Sequence, residues 1–161
     1  MTAQDFNNTV EKMRPKLIGF ANTFVKTGAY TSEDLVQDAV LKLWKSIDKY
    51  EIKNSEAFTI QILKHLCLDY LKSKKNNNEP LNNLAKNLSD ISPHEKLEKR
   101  EMHLLIHNQI NKLPAEQQIS VRLRDIMGYE MSEIAEIMQI KEGNVRTLLS
   151  RARKKIRERI L

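Results

Sequence analysis

One cysteine cannot close a disulfide within a chain, so Cys67 excludes an intrachain disulfide scaffold and leaves nothing to argue for an oxidising compartment. It stands in an apolar run and is expected to be a small core residue. Four glycines and four prolines in 161 residues are too few for a turn-rich sheet protein, and abundant Leu, Ile, Lys and Glu favour helices instead. No apolar run approaches the roughly 18 residues that cross a bilayer, and residues 1–10 are polar, without the basic-then-apolar order of a secretion signal. A cytoplasmic protein with no membrane span is expected. No phosphate-cradling glycine loop and no Ser/His/Asp pattern occurs. His103 and His107 are spaced i, i+4 as metal ligands can be, but no third ligand stands at an informative spacing, and His65 and His94 fall in other elements. The pair reads as a surface or interdomain feature, so no enzyme, no metal, no cofactor and no small-molecule substrate is expected.

What is present is unevenly placed. Residues 141–161 carry eight Lys or Arg against two Glu, a surplus equal to the net charge of +6, and the rest of the chain cancels at nineteen against nineteen. A basic block confined to one helix points to an element that reads nucleic acid. Hydrophobic content of 40% is enough for modest cores.

Apolar residues recur at helical spacing through Phe6, Val10, Met13, Leu17, Phe20 and Phe24, with Pro15 a kink point, until Thr27, Gly28 and Ala29 interrupt them. A start signal at residues 31–34 opens a second stripe of Leu35, Val36, Ala39, Val40, Leu43, Trp44 and Ile47. Ser55 is the expected N-cap of a third helix running to about residue 75. From residue 76 the chain turns rich in asparagine and closes on Ser92 and Pro93. Residues 76–94 read as a flexible linker, although Leu81, Leu84, Leu88 and Ile91 form a weak apolar stripe. A second helical block over residues 95–161 starts a helix at Pro114 and breaks at Met127, Gly128 and Tyr129. The expected fold is all-α: two small helical domains, residues 1–75 and 95–161, joined by that linker.

The last two helices, residues 132–138 and 142–159, are separated by three residues, a spacing suited to a helix-turn-helix. The final helix puts Val145, Leu148, Leu149, Ala152 and Ile156 on one side and Arg146, Thr147, Ser150, Arg151, Lys154 and Arg157 on the other. Arg146, Thr147 and Ser150, near its start, are placed to reach base edges. Arg151, Arg153, Lys154 and Arg157 are placed to neutralise phosphate. The third helix has a mixed outer arc of Phe58, Gln61, Lys64, His65, Leu68, Asp69 and Lys72. Phe58 beside cations suits stacking on single-stranded DNA, and it equally suits burial against the preceding loop.

Four stretches then carry a resemblance: residues 32–38 through Leu43 and Trp44; Ala57 and Phe58 through residues 68–72; residues 113–117; and residues 133–136 through Val145, Arg146, Thr147 and residues 150–153. In this order the chain resembles an extracytoplasmic-function sigma factor of bacterial RNA polymerase. The resemblance implies the second and fourth sigma domains, with core polymerase (β′ clamp and β flap), promoter DNA and an anti-sigma factor as partners. It implies that Asp34, Gln37, Asp38 and Trp44 bind the β′ clamp. It assigns Phe58, Gln61, Lys64, His65, Asp69 and Lys72, with the loop of residues 48–54, to the minus-ten element and its opened strand. The terminal helix-turn-helix would read the minus-thirty-five element. Phe58 stands where many relatives have Trp, and His65 where they often have Asn. Gln139 replaces a usual turn Gly, Lys141 a capping Ser, and Leu148 a common Arg. The linker charges Glu79, Lys86 and Asp90 nearly cancel, so RNA mimicry by charge is not implied. The competing reading is a stand-alone helix-turn-helix repressor or activator, which leaves the first block unexplained.

Overall fold

A computed structural model describes residues 2–25, 31–76 and 93–160, and the linker of the sequence reading lies largely outside them, as does the break at residues 27–29. The described residues form seven α-helices and one π-helical turn, arranged as two helical blocks.

In the first block, α1 (Ala3–Asn22) opens on a capping box: the Asp5 N–H donates to Thr2 Oγ1 at 3.1 Å, and the Thr2 N–H donates to Asp5 Oδ2 at 3.2 Å. The helix continues past Pro15, which is exposed and offers no N–H to the Glu11 carbonyl one turn back. Phe6, Val10, Met13, Leu17 and Phe20 are buried along one stripe. The second helix, α2 (Ser32–Ser46), opens on another capping box between Thr31 and Asp34 and buries Leu35, Val36, Ala39 and Leu43 against α1 and α3. The third, α3 (Ser55–Asn76), is capped one residue earlier than expected. Asn54 Oδ1, not the Ser55 side chain, accepts the Ala57 N–H at 3.1 Å, and Asn and Ser are about equally good caps, so local pattern alone does not choose.

In the second block, α4 (Pro93–Asn111) packs against α5 (Ala115–Val121) and α7 (Glu142–Ile160). The end of α5 widens into a π-helical turn, Arg122–Ile126, in which the Met127 N–H donates to the Arg122 carbonyl at 2.9 Å. Gly128, at φ 77°, then reverses the chain, and the Tyr129 N–H reaches back to the Leu123 carbonyl at 2.9 Å. The short α6 (Met131–Met138) follows and meets α7 through Ile134, Ile137, Val145 and Leu149, all buried.

Gln139 ends α6 in the left-handed conformation, φ 58° and ψ 42°, where a Cβ crowds the backbone. Glycine removes that strain but adds freedom to the unfolded chain. Gln139→Gly is therefore expected to raise stability by about 0.5–1 kcal/mol, seen as a Tm increase of about 2 °C in thermal unfolding.

Candidate functional site

The outer face of α7 is set by the burial of its inner one. Val145, Leu149 and Ala152 are buried, which turns Arg146, Thr147, Ser150, Arg151, Lys154 and Arg157 outward, all exposed. Arg151, Lys154 and Arg157 have no ion pair among the described residues, so their charges are available to an external anion. Arg146 is loosely tied to Glu142, Nη2 to Oε2 at 3.4 Å, an exposed pair that yields readily to a ligand. The Thr147 hydroxyl donates to the Gly143 carbonyl at 3.0 Å, leaving its methyl group and an oxygen lone pair outward. Arg153 is exposed too but engaged: its guanidinium meets Asp125 in the π turn with two bonds, Nε to Oδ2 at 3.2 Å and Nη2 to Oδ1 at 2.7 Å, which brace α7 and compete with phosphate for it.

On α3 the expected row divides. His65, Asp69 and Lys72 are exposed, and Gln61 is half-buried. Phe58 is half-buried too, packed against the edge of the core with part of its ring in reach of solvent. Lys64 is the exception: only 7% exposed, it lies under the second block, where burial lowers its pKa and the Glu116 carboxylate of α5 partly offsets that effect. A free DNA-facing cation was expected there; helix periodicity places a residue on a face but does not say what covers it. Burial, and then the neighbouring Lys64 charge, lower the His65 pKa and favour its neutral form.

At the other end of the first block, Phe6, Thr9, Leu43, Ile47, Tyr50, Glu51, Ile52 and Ser55 line a cleft of about 230 Å³. The loop over residues 48–54 forms one wall, and Tyr50 is exposed on it. That volume is below the roughly 300 Å³ at which drug-sized ligand sites begin. Nearby, on α2, Trp44 is 47% exposed and meets Phe6 edge to face at 4.7 Å between ring centroids. Leu41 and Gln37 are exposed on the same helix, and Asp38 is half-buried. Asp34 is already engaged: its Oδ2 accepts the Thr31 N–H at 2.8 Å and the Thr31 hydroxyl at 3.0 Å.

Sequence reasoning overlooked Arg122. It is 1% exposed and bonds Gln118 Oε1 at 2.7 Å, Asn111 Oδ1 at 2.6 Å and the Thr23 carbonyl of the first block at 3.3 Å. Desolvation pushes its pKa down to about 10. A signal was available, since Arg122 interrupts the apolar sequence of Ile119, Val121 and Leu123. Also overlooked was the meeting of Lys16, Glu56 and Tyr129. Cys67 is buried as expected, and burial pushes its thiol up to about 12. His103 and His107 approach to 3.3 Å between Nε2 atoms on α4. Among the described residues no group of three or more His, Cys, Asp or Glu could hold a metal ion, and no helix is long and apolar enough to cross a membrane.

Comparison with known proteins places both blocks. The family model for sigma-70 region 2 matches residues 9–77, and that for sigma-70, region 4 matches residues 103–156. The chain is 25% identical over 166 residues to the ECF RNA polymerase sigma-E factor of Haemophilus influenzae, covering 96% of this chain and 87% of the relative. It is 25% identical over 142 residues to the ECF RNA polymerase sigma factor SigW of Bacillus subtilis, covering 81% and 76%. Its fold superposes with a TM-score of 0.74, at 22% identity over 98% of each chain, on the sigma factor RpoE solved in complex with the anti-sigma factor NepR from Bartonella quintana.

Proposed function

We propose a division of labour for this chain, which belongs to the sigma-70 family and within it to the extracytoplasmic-function group: α7 anchors a promoter, and α3 with the loop before it works where the strands open. The protein is an RNA polymerase sigma factor that binds core polymerase and directs promoter recognition. The observation that carries the division is the row of exposed cations on a helix-turn-helix, of which Arg151, Lys154 and Arg157 have no ion pair among the described residues, set behind a separate block with its own aromatic and polar face. Arg146, Thr147 and Ser150 contact base edges in the major groove of the minus-thirty-five element; Arg151, Lys154 and Arg157 neutralise phosphate. Phe58, Gln61, His65, Asp69 and Lys72 follow the opened minus-ten strand, with Phe58 stacking on a base at its upstream edge.

No bond is made or broken in this scheme. A base leaving the duplex loses stacking worth a few kcal/mol, and capture in a protein site offsets that loss. The cleft beside residues 48–54 is our candidate for the capture. Gln37, Asp38 and Trp44, with Leu41 beside them, form the polymerase-facing surface of α2, since exposed aromatic and aliphatic area at one place marks a protein contact. Asp34 contributes there chiefly by capping the helix that presents them. Work on polymerase places the protein in the cytoplasm. An anti-sigma factor belongs to the reading as well, supported by the fold shared with a chain solved in such a complex.

The test is run-off transcription with core polymerase over a randomised promoter library. Initiation confined to templates sharing two spaced elements is expected. Tight, specific duplex binding by the chain alone, with no transcript on adding core enzyme, would instead favour a stand-alone repressor or activator.

A further inference from the structure

Two histidines on α4 belong to none of the surfaces assigned above. His103 is exposed and His107 half-buried; their Nε2 atoms stand 3.3 Å apart, with the rings edge to face at 66° between planes. Spacing i, i+4 on a helix lays one side chain over the other, so the pairing follows from the backbone of α4. Ile110, one turn further on, is buried, and α4 packs on α5 and α7, which fixes the turn that carries the pair. Spacing alone lacks a third ligand and predicts no metal; the distance supports a two-ligand site instead.

Two ring lone pairs at 3.3 Å repel, and so do two N–H groups, so one Nε2 carries a proton that the other accepts. The same distance fits a shared ion. Two nitrogens at about 2.0–2.1 Å from a tetrahedral zinc ion lie about 3.3–3.4 Å apart, so an ion can take the place of the bridging proton with little movement of either side chain. That proton passes to Nδ1 of its own ring. Parallel stacked rings could not aim both in-plane lone pairs at one point, whereas rings tilted by 66° can.

The helix neighbours select the kind of ion. One turn to either side of the pair stand Lys99, Arg100, Leu104, Ile106, Ile110 and Asn111, none of them a carboxylate. Magnesium and calcium want oxygen ligands and find none here, while imidazole suits copper, nickel and zinc. Lys99 and Arg100 repel any cation, so binding must come from coordination by nitrogen rather than from charge. We propose that His103 and His107 form a two-imidazole seat for a divalent first-row transition ion, with water in its remaining positions. Binding is weaker than at structural zinc sites with four protein ligands, and follows the order copper above nickel and zinc. An ion held there clamps the turn of α4 just before Asn111, which bonds Arg122, and so stabilises the second block. The seat is independent of the promoter assignments.

The experiment titrates the chelator-treated full chain with copper, nickel, zinc and magnesium salts by calorimetry, and records the electron paramagnetic resonance of the copper form. One copper ion per chain is expected, with hyperfine splitting from two nitrogens, and no binding of magnesium. At a zinc concentration about a hundredfold above Kd, Tm should rise by about 5 °C. His103→Gln and His107→Gln should each weaken nickel and zinc binding roughly tenfold or more and abolish the rise in Tm, because one imidazole alone has lost the chelate effect. Their circular dichroism and metal-free Tm should match the native chain. His65→Ala, which removes an imidazole from a different helix, should leave stoichiometry and affinity unchanged, and the buried Cys67 thiol does not compete. Binding that survives both glutamine changes is an adventitious ion only and overturns the seat. Loss on changing one histidine and not the other overturns the chelate, as does a single-nitrogen copper signal. Absence of binding by all three transition ions overturns the proposal outright.

Discussion

Arg122→Ala is expected to destabilise the chain by about 3 kcal/mol, lowering Tm by about 8 °C in thermal unfolding. The guanidinium satisfies three acceptors drawn from three places: Asn111 at the end of α4, Gln118 on α5 and the Thr23 carbonyl beyond α1. Removing it leaves the Asn111 and Gln118 oxygens without their donor, each at a cost of about 1–3 kcal/mol, and opens a cavity under Phe24. One effect opposes these. Arg122 has no ion pair among the described residues, so its deletion also ends the burial of an uncompensated cation, which keeps the total nearer 3 than 6 kcal/mol. Arg122→Met, which fills most of the volume without the charge, should lose about half as much. Equal losses for Ala and Met would mean that hydrogen bonding, and not packing, dominates the site.

The second large effect is electrostatic. In the assembled holoenzyme on promoter DNA, replacing Arg151, Lys154 and Arg157 together by alanine should flatten the plot of log affinity against log salt by about 2.7, because each neutralised phosphate contributes about 0.9 to the slope. At about 0.1 M salt the same relation gives a loss of two to three orders of magnitude in affinity, spread evenly over promoter sequences. Arg153→Ala makes the contrast. Its guanidinium is held by Asp125, so the slope should stay nearly unchanged while stability falls. A slope shared equally among all four positions would mean that the Asp125 grip releases on DNA.

The all-α architecture, its two blocks and the family were legible in the sequence for a physical reason: each depends on local periodicity, composition and ordered short stretches. The α7 wheel worked because Val145, Leu149 and Ala152 bury against helices of their own block, leaving the opposite side exposed. Lys64 shows where the same reasoning stops. Its wheel position is unremarkable, and the second block that covers it is far away in sequence. The same limit hid Tyr129 on Glu56 and Arg122 on Thr23, contacts between residues 73 and 99 positions apart. The π turn was hidden differently, since one extra residue in a helical turn leaves the apolar spacing almost intact over a five-residue window. Gln139 was legible as a departure, and its left-handed backbone is the strain that departure implied.

Those long separations give the closed arrangement a history within each molecule. A bacterial chain grows at about 5–20 residues per second, so Tyr129 leaves the ribosome about 4–15 seconds after Glu56. The first block is held by helix contacts within residues 3–76, so it can fold before its cover exists. Every newly made copy thus passes through a brief juvenile period in which Lys64 and Glu56 stand uncovered, and the block that meets them arrives only with the last third of the chain.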